Sequence, residues 1–191
     1  MIPKRSYKLR PQQMGQGFGR RRGYDPLESS PDWRILDGAS VSPFKIEDDT
    51  CIIKRSSSDV VVIRDIAPFV DGSVSCWGVF NGQNSDFSMP LAIRALDANN
   101  YTGFRISMGA GELYDRVDGT WNQLDTALPA PNAGTQVTLS AVGDQITVTI
   151  NGTDYTYTGI NLTAGYAGCI GRGWVSGKQD FFSNFTVTVI A

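Results

Sequence analysis

The sequence predicts an all-β fold: a sandwich of two antiparallel sheets carrying an extended N-terminal arm. Three observations lead there. About ten runs rich in β-branched and aromatic residues are punctuated by Gly, Asn and Asp turn signals. No stretch sustains the apolar period of a helix. Twenty-one glycines accompany 41% hydrophobic and 19% charged residues, the make-up of a turn-rich chain that can bury a core. A length of 191 residues suits one domain of about 150 residues with an extension.

Residues 1–30 are the extension. Pro3, Pro11, Pro26, Gly15, Gly17, Gly19 and Gly23 interrupt it, and it has too little apolar surface to fold alone. Its charge is one-sided. Lys4, Arg5, Lys8, Arg10, Arg20, Arg21 and Arg22 give +7 before the first acid, Asp25. The other ten basic residues face nineteen acidic ones, so the rest of the chain stands at −9 against −2 overall. A cationic arm of this kind is drawn to carboxylates. Phe18 and Tyr24, on either side of the arginine triplet, supply apolar anchors.

Residues 31–191 form the sandwich. Val60 to Ile63 reads as a first clear strand, and Asp71-Gly72 turns into Val74 to Phe80, which Asn81-Gly82 closes. Leu91 to Leu96 ends at Asp97-Ala98-Asn99-Asn100, and Tyr101 to Met108 resumes. Gly109-Ala110-Gly111 leads into Glu112 to Val117, which stops at Asp118-Gly119. Val137, Leu139 and Ala141 alternate with polar residues, as do Ile146, Val148 and Ile150. With Gly143-Asp144 between them they make the clearest hairpin. Asn151-Gly152 turns into Tyr155 to Tyr157, and Phe185, Val187 and Val189 line one face of a last strand.

Two of these stretches carry a family resemblance. "NNYTGFRISMGAGELYDRVDGTWNQL" and "GTQVTLSAVGDQITVTINGTDYTYTGINLTAGYAGCIGRG" resemble the concanavalin A-like jelly roll in its laminin-G-like variety, over residues 59–190. The resemblance implies two curved sheets, the concave one often presenting a sugar or protein site. It also implies a range of roles: lectins, non-catalytic modules of glycosidases, glucanases, and virion-surface modules of tailed bacteriophages. Fold does not choose among them.

Residue chemistry narrows the choice. Histidine is absent, which removes the usual nucleophile–base pairs and zinc sets. A carboxylate pair is the remaining catalytic option. Its nearest match, Glu112 with Asp115 and Asp118, has a spacing that sends Asp115 to the strand face opposite Glu112. No metal or cofactor is expected, because Asp71 and Asp86 lack the dense acidic cluster that calcium needs. Cys51, Cys76 and Cys169 are read as small buried thiols. The four Asn-x-Thr triplets at Asn100, Asn151, Asn161 and Asn184 are not read as glycosylation sites, since no apolar leader follows Met1 to Arg5.

A sugar site needs aromatic faces beside amides or carboxylates. Asn100, Tyr101, Tyr114, Trp121 and Trp174 are the candidates, Trp121 and Trp174 as loop residues. Trp77 is a further aromatic candidate, with filling the core as its simpler reading. The leading expectation is a non-enzymatic virion structural protein of a tailed phage, in its capsid decoration, neck or tail. Lys4, Arg5, Lys8, Arg10, Phe18, Arg20, Arg21, Arg22 and Tyr24 would dock it on other virion proteins assembled in the host cytoplasm, displaying a lectin-like domain to surface glycans. The alternative is a free-standing carbohydrate-binding module, and a carboxylate-dependent glycosidase comes third. Nucleic acid is not expected as a partner, because the −9 portion would be repelled by phosphates. No membrane partner is expected either. Self-association through sheet edges stays open.

Overall fold

The computed structural model describes residues 4–8, 33–36, 44–47, 50–53, 60–64, 66–79, 88–107, 109–131, 134–171 and 181–190. Its strands in chain order are β1 (Lys4–Lys8), β2 (Trp33–Ile35), β3 (Phe44–Glu47), β4 (Thr50–Ile53), β5 (Val60–Arg64), β6 (Asp71–Val79), β7 (Ser88–Asp97) and β8 (Asn100–Ser107). There follow β9 (Ala110–Val117), β10 (Thr120–Pro129), β11 (Gln136–Val142), β12 (Gln145–Ile150), β13 (Thr153–Tyr157), β14 (Tyr166–Gly171) and β15 (Phe181–Ile190). They build two antiparallel sheets, the sandwich the sequence predicts. The first runs β13-β12-β11-β6-β15-β4-β3, and the second β10-β9-β8-β7-β14-β5-β2. No helix among the described residues is long and apolar enough to cross a membrane.

Alternation along the strands decides what each face buries. Val74 and Cys76 on β6, Val137 and Leu139 on β11, and Phe185 and Val187 on β15 point inward from the first sheet. They meet Leu91, Phe104, Leu113 and Cys169 from the second. Burial of each large apolar side chain is worth about 2 kcal/mol, so this shared layer is the main source of stability. The turns follow the residue chemistry. Asp118-Gly119 and Asn151-Gly152 both have two positive φ values, 49° with 79° and 53° with 80°. That is the type I′ geometry whose twist matches the strands it joins.

Three features differ from the sequence reading. Residues 120–129, left unassigned, form strand β10, so Trp121 stands on a strand and not in a loop. Trp77, read most simply as a core residue, is 41% exposed, because Val74 and Cys76 take the inward parity and leave it on the outer face. The start of the arm is a strand: β1 pairs antiparallel with β15, from Lys4 opposite Ile190 to Lys8 opposite Thr186. Arg10, Phe18, Arg20, Arg21, Arg22 and Tyr24 lie outside the described residues.

One buried cation organises an end of the sandwich. Arg94, fully buried, interrupts β7 with a φ of 53°. Its guanidinium donates to the carbonyls of Leu162 at 2.9 Å, Gly143 at 2.6 Å and Val70 at 3.2 and 3.3 Å. Asp71 stands 3.8 Å away. Burial pushes the Arg94 pKa down, while Asp71, Asp115 and Asp144 hold it up. Three segments far apart in sequence thus share one donor.

Candidate functional site

The second sheet buries side chains on both faces. On its outer side Ile63, Ala92, Ala95, Tyr101, Tyr114 and Ile170 form a separate cluster, against which Trp121 and Tyr166 pack. Antiparallel register makes the arrangement. Trp121 lies opposite Arg116, which lies opposite Tyr101, and in the next row Gln123, Tyr114 and Gly103 align. Gly103 is what lets the Tyr114 ring lie across its neighbour. A Cβ at that position would stand 2.7 Å from the ring's Cζ and hydroxyl oxygen.

Three of the expected sugar contacts therefore meet. Tyr114 and Trp121 have ring centroids 4.6 Å apart at 49°, and Tyr101 stands edge-on to both, at 5.9 and 6.3 Å. Their exposure differs. Tyr101 is fully buried and Tyr114 2% exposed, so these two support Trp121, the half-buried member of the three. Arg105 lies over the rings of Tyr114 and Trp121 at 5.1 and 5.2 Å, and Arg116 lies over Trp121 at 5.0 Å. Such stacking holds a guanidinium in one orientation.

Beside the rings, Arg105 Nε donates to Glu112 Oε2 at 2.6 Å, with both side chains about five-sixths buried, at 16% and 17% exposure. Arg105, Glu112, Leu113, Tyr114, Trp121 and Gln123 line a pocket of about 280 Å³. It offers one aromatic face, a fixed pair of charged donor and acceptor groups, and an amide.

The other expected residues lie elsewhere. Asn100 donates through Nδ2 to both Asp97 carboxylate oxygens at 3.0 Å, and its Oδ1 accepts from the Asp118 amide at 2.9 Å. Its polar atoms tie two hairpin turns together and do not line the pocket. Trp174 lies outside the described residues. Asp115 faces inward. Its Oδ1 accepts from the Thr102 hydroxyl at 2.8 Å, and its Oδ2 accepts from the Asn161 backbone and side chain at 3.1 Å. No group of three His, Cys, Asp or Glu side chains able to hold a metal ion occurs among the described residues.

The sequence reading missed Arg105, Gln123 and Gly103. A signal for Arg105 exists in hairpin arithmetic: Ser107 pairs with Ala110, which places Arg105 directly opposite Glu112.

With this geometry in place, the likeness to known proteins is informative about class. No family model matches the sequence, and neither does any curated protein. Solved structures share the fold at low identity. The carbohydrate binding module CBM66 from Bacillus subtilis matches with a TM-score of 0.59 and 12% identity, over 83% of this chain and 92% of that one. A prokaryotic β-1,3-1,4-glucanase (lichenase) derived from a mouse hindgut metagenome matches with a TM-score of 0.58 and 11% identity, over 83% and 93%. A legume lectin-like domain from Entamoeba histolytica gives 0.56 and 10%, over 84% and 90%. The chain has the concanavalin A-like jelly-roll fold. Its structural neighbours are carbohydrate-binding, lectin and glycosidase domains.

Proposed function

We propose that this is a carbohydrate-binding domain that holds a sugar against Trp121 and does not cleave it. The observation that carries the reading is the pocket itself: a half-buried indole beside the Arg105–Glu112 pair. A pyranose has apolar faces and a rim of hydroxyls. An aromatic face takes the first, and a positioned guanidinium, carboxylate or amide takes the second. Cleavage by the retaining route needs a second carboxyl about 5 Å from the first. Among the described residues Glu112 is the one carboxylate lining this pocket, and Asp115 points to the opposite face. Calorimetric titration with oligosaccharides tests the reading. Trp121→Ala should weaken binding at least about tenfold, and equal binding by the variant would remove the pocket from consideration.

Display on a virion is a second reading, favoured by the +7 charge of residues 1–23 against −9 in the remainder. Deleting those residues would also strip β1 from the sheet, so reversal of Arg20, Arg21 and Arg22 to Glu is the cleaner test. Unchanged incorporation of that variant into particles would overturn the docking role.

A further inference from the structure

The outer face of the first sheet is built unlike the pocket. Cross-strand register aligns Thr156, Thr147, Ser140, Ser73 and Thr188 in one row across β13, β12, β11, β6 and β15. Asp154, Thr149, Thr138, Ser75 and Thr186 align in the next. Strand spacing makes each row about 20 Å long. Trp77 stands two residues beyond Ser75 on the central strand β6, 41% exposed. Gln136 is its cross-strand neighbour and donates through Nε2 to Ser75 Oγ at 3.2 Å.

Along β13, β12, β11, β6 and β15 charge is confined to the margins, and β1, which continues the rows beyond β15, places Lys8 opposite Thr186 and Lys4 opposite Ile190. Among the described side chains of these five strands that share this outward parity, Asp71 lies at a strand end and Asp154 on the edge strand, and all others are neutral. Soluble sheets ordinarily guard an open face with Lys and Glu. Here several hydroxyls find partners within the sheet: Thr147 and Thr156 Oγ1 atoms lie 3.0 Å apart, Thr149 donates to Asp154 at 2.6 Å, and Ser140 donates to the Thr147 carbonyl at 3.3 Å.

From the juxtaposition of exposed Trp77 with in-register rows of neutral hydroxyls and the Gln136 amide, we infer that this face is a second carbohydrate surface, for an extended neutral polysaccharide. A long uncharged polymer with hydroxyls along its edges matches a surface that repeats hydroxyls at strand spacing, and the indole gives one sugar ring a stacking partner. A flat face also accepts a chain interior, whereas a 280 Å³ pocket takes a single unit or chain end. The two sites lie on opposite outer faces of the sandwich, so they engage separate chains or distant parts of one, and their affinities combine only when both are occupied.

Affinity electrophoresis of the full chain tests this, in native gels cast with a mixed-linkage β-glucan, a xyloglucan or a galactomannan. We expect the wild type to be slowed in at least one gel, and Trp77→Ala and Thr138→Lys each to raise the apparent Kd about tenfold, in the wild type and equally in a Trp121→Ala background. Denaturant midpoints equal to wild type show that the variants are folded. Trp77→Ala carries the test if Thr138→Lys is not. No slowing in any of the three gels, or slowing of Trp77→Ala equal to that of the wild type, overturns the inference. So does sedimentation of the wild type as a dimer that Trp77→Ala dissociates, since a second copy would then be the occupant. Failure of the pocket reading shows separately, in the oligosaccharide titration.

Discussion

The Tyr157 hydroxyl donates to Asp125 Oδ2 at 2.6 Å, joining β13 at the edge of one sheet to β10 at the edge of the other. Its loss should open that side of the sandwich. Tyr157→Phe should cost about 1 kcal/mol, a charge-assisted hydrogen bond discounted for its partial exposure. Urea unfolding at neutral pH measures it.

The same pair sets a pH dependence. The Tyr157 hydrogen bond, then the Ala127 amide, holds the Asp125 carboxyl below the usual range. A depressed folded pKa contributes stability above the ordinary carboxylate value of about 4, and that stability is lost as pH falls through the folded value. Burial and then Asp125 push the Tyr157 hydroxyl far up. Its contribution is complete below the ordinary tyrosine value of about 10 and is lost as pH rises beyond it. Tyr157→Phe should therefore flatten both limbs of a stability–pH curve, and an unchanged acid limb would count against the carboxylate's part.

Gly103→Ala places a methyl group against the Tyr114 ring. Overpacking of this kind costs about 1–3 kcal/mol. The displaced ring should also disturb Trp121, so indole fluorescence and oligosaccharide affinity should change together. Gly109→Ala, whose Cβ meets no atom within 4 Å, is the backbone-strain control because its φ is 84°.

Arg94→Met should be among the most damaging substitutions, by about 3 kcal/mol, because it leaves the buried Leu162 carbonyl and the partly buried Val70 and Gly143 carbonyls without a donor. A midpoint within experimental error of wild type would show that water replaces the guanidinium there.

Burial raises the Cys76 thiol far above its ordinary value. Cys76 and Cys169 should resist alkylation at pH 8 in the native state and react on unfolding. Peptide mapping by mass spectrometry identifies which sites are labelled.

Much of the sandwich was legible because its strands alternate cleanly. The β11–β12 hairpin follows from Val137, Leu139, Ile146 and Val148 alone. β10 was hidden for a physical reason: register shifts between Gln123 and Asp125, and again between Asp125 and Leu128, break the two-residue period in an edge strand. Trp77 was misread although counting by twos from Val74 turns it outward. The aromatic half of the candidate pocket was visible in Tyr101, Tyr114 and Trp121. Its charged half depended on placing one turn correctly, since a one-residue shift sends Arg105 to the wrong face. Arg94 was out of reach of local reasoning, because its acceptors lie 24, 49 and 68 residues away.

The Arg94 clamp bears on how this scaffold can be altered. The segments ending at Val70, turning at Gly143 and passing Leu162 are held by the same guanidinium, so lengthening any one withdraws its carbonyl from the donor the other two share. The Asn151-Gly152 turn has no such tie through its glycine: a Cβ at Gly152 would meet nothing within 4 Å. A fluorophore, epitope or second binding loop grafted there leaves the guanidinium and its three carbonyls untouched.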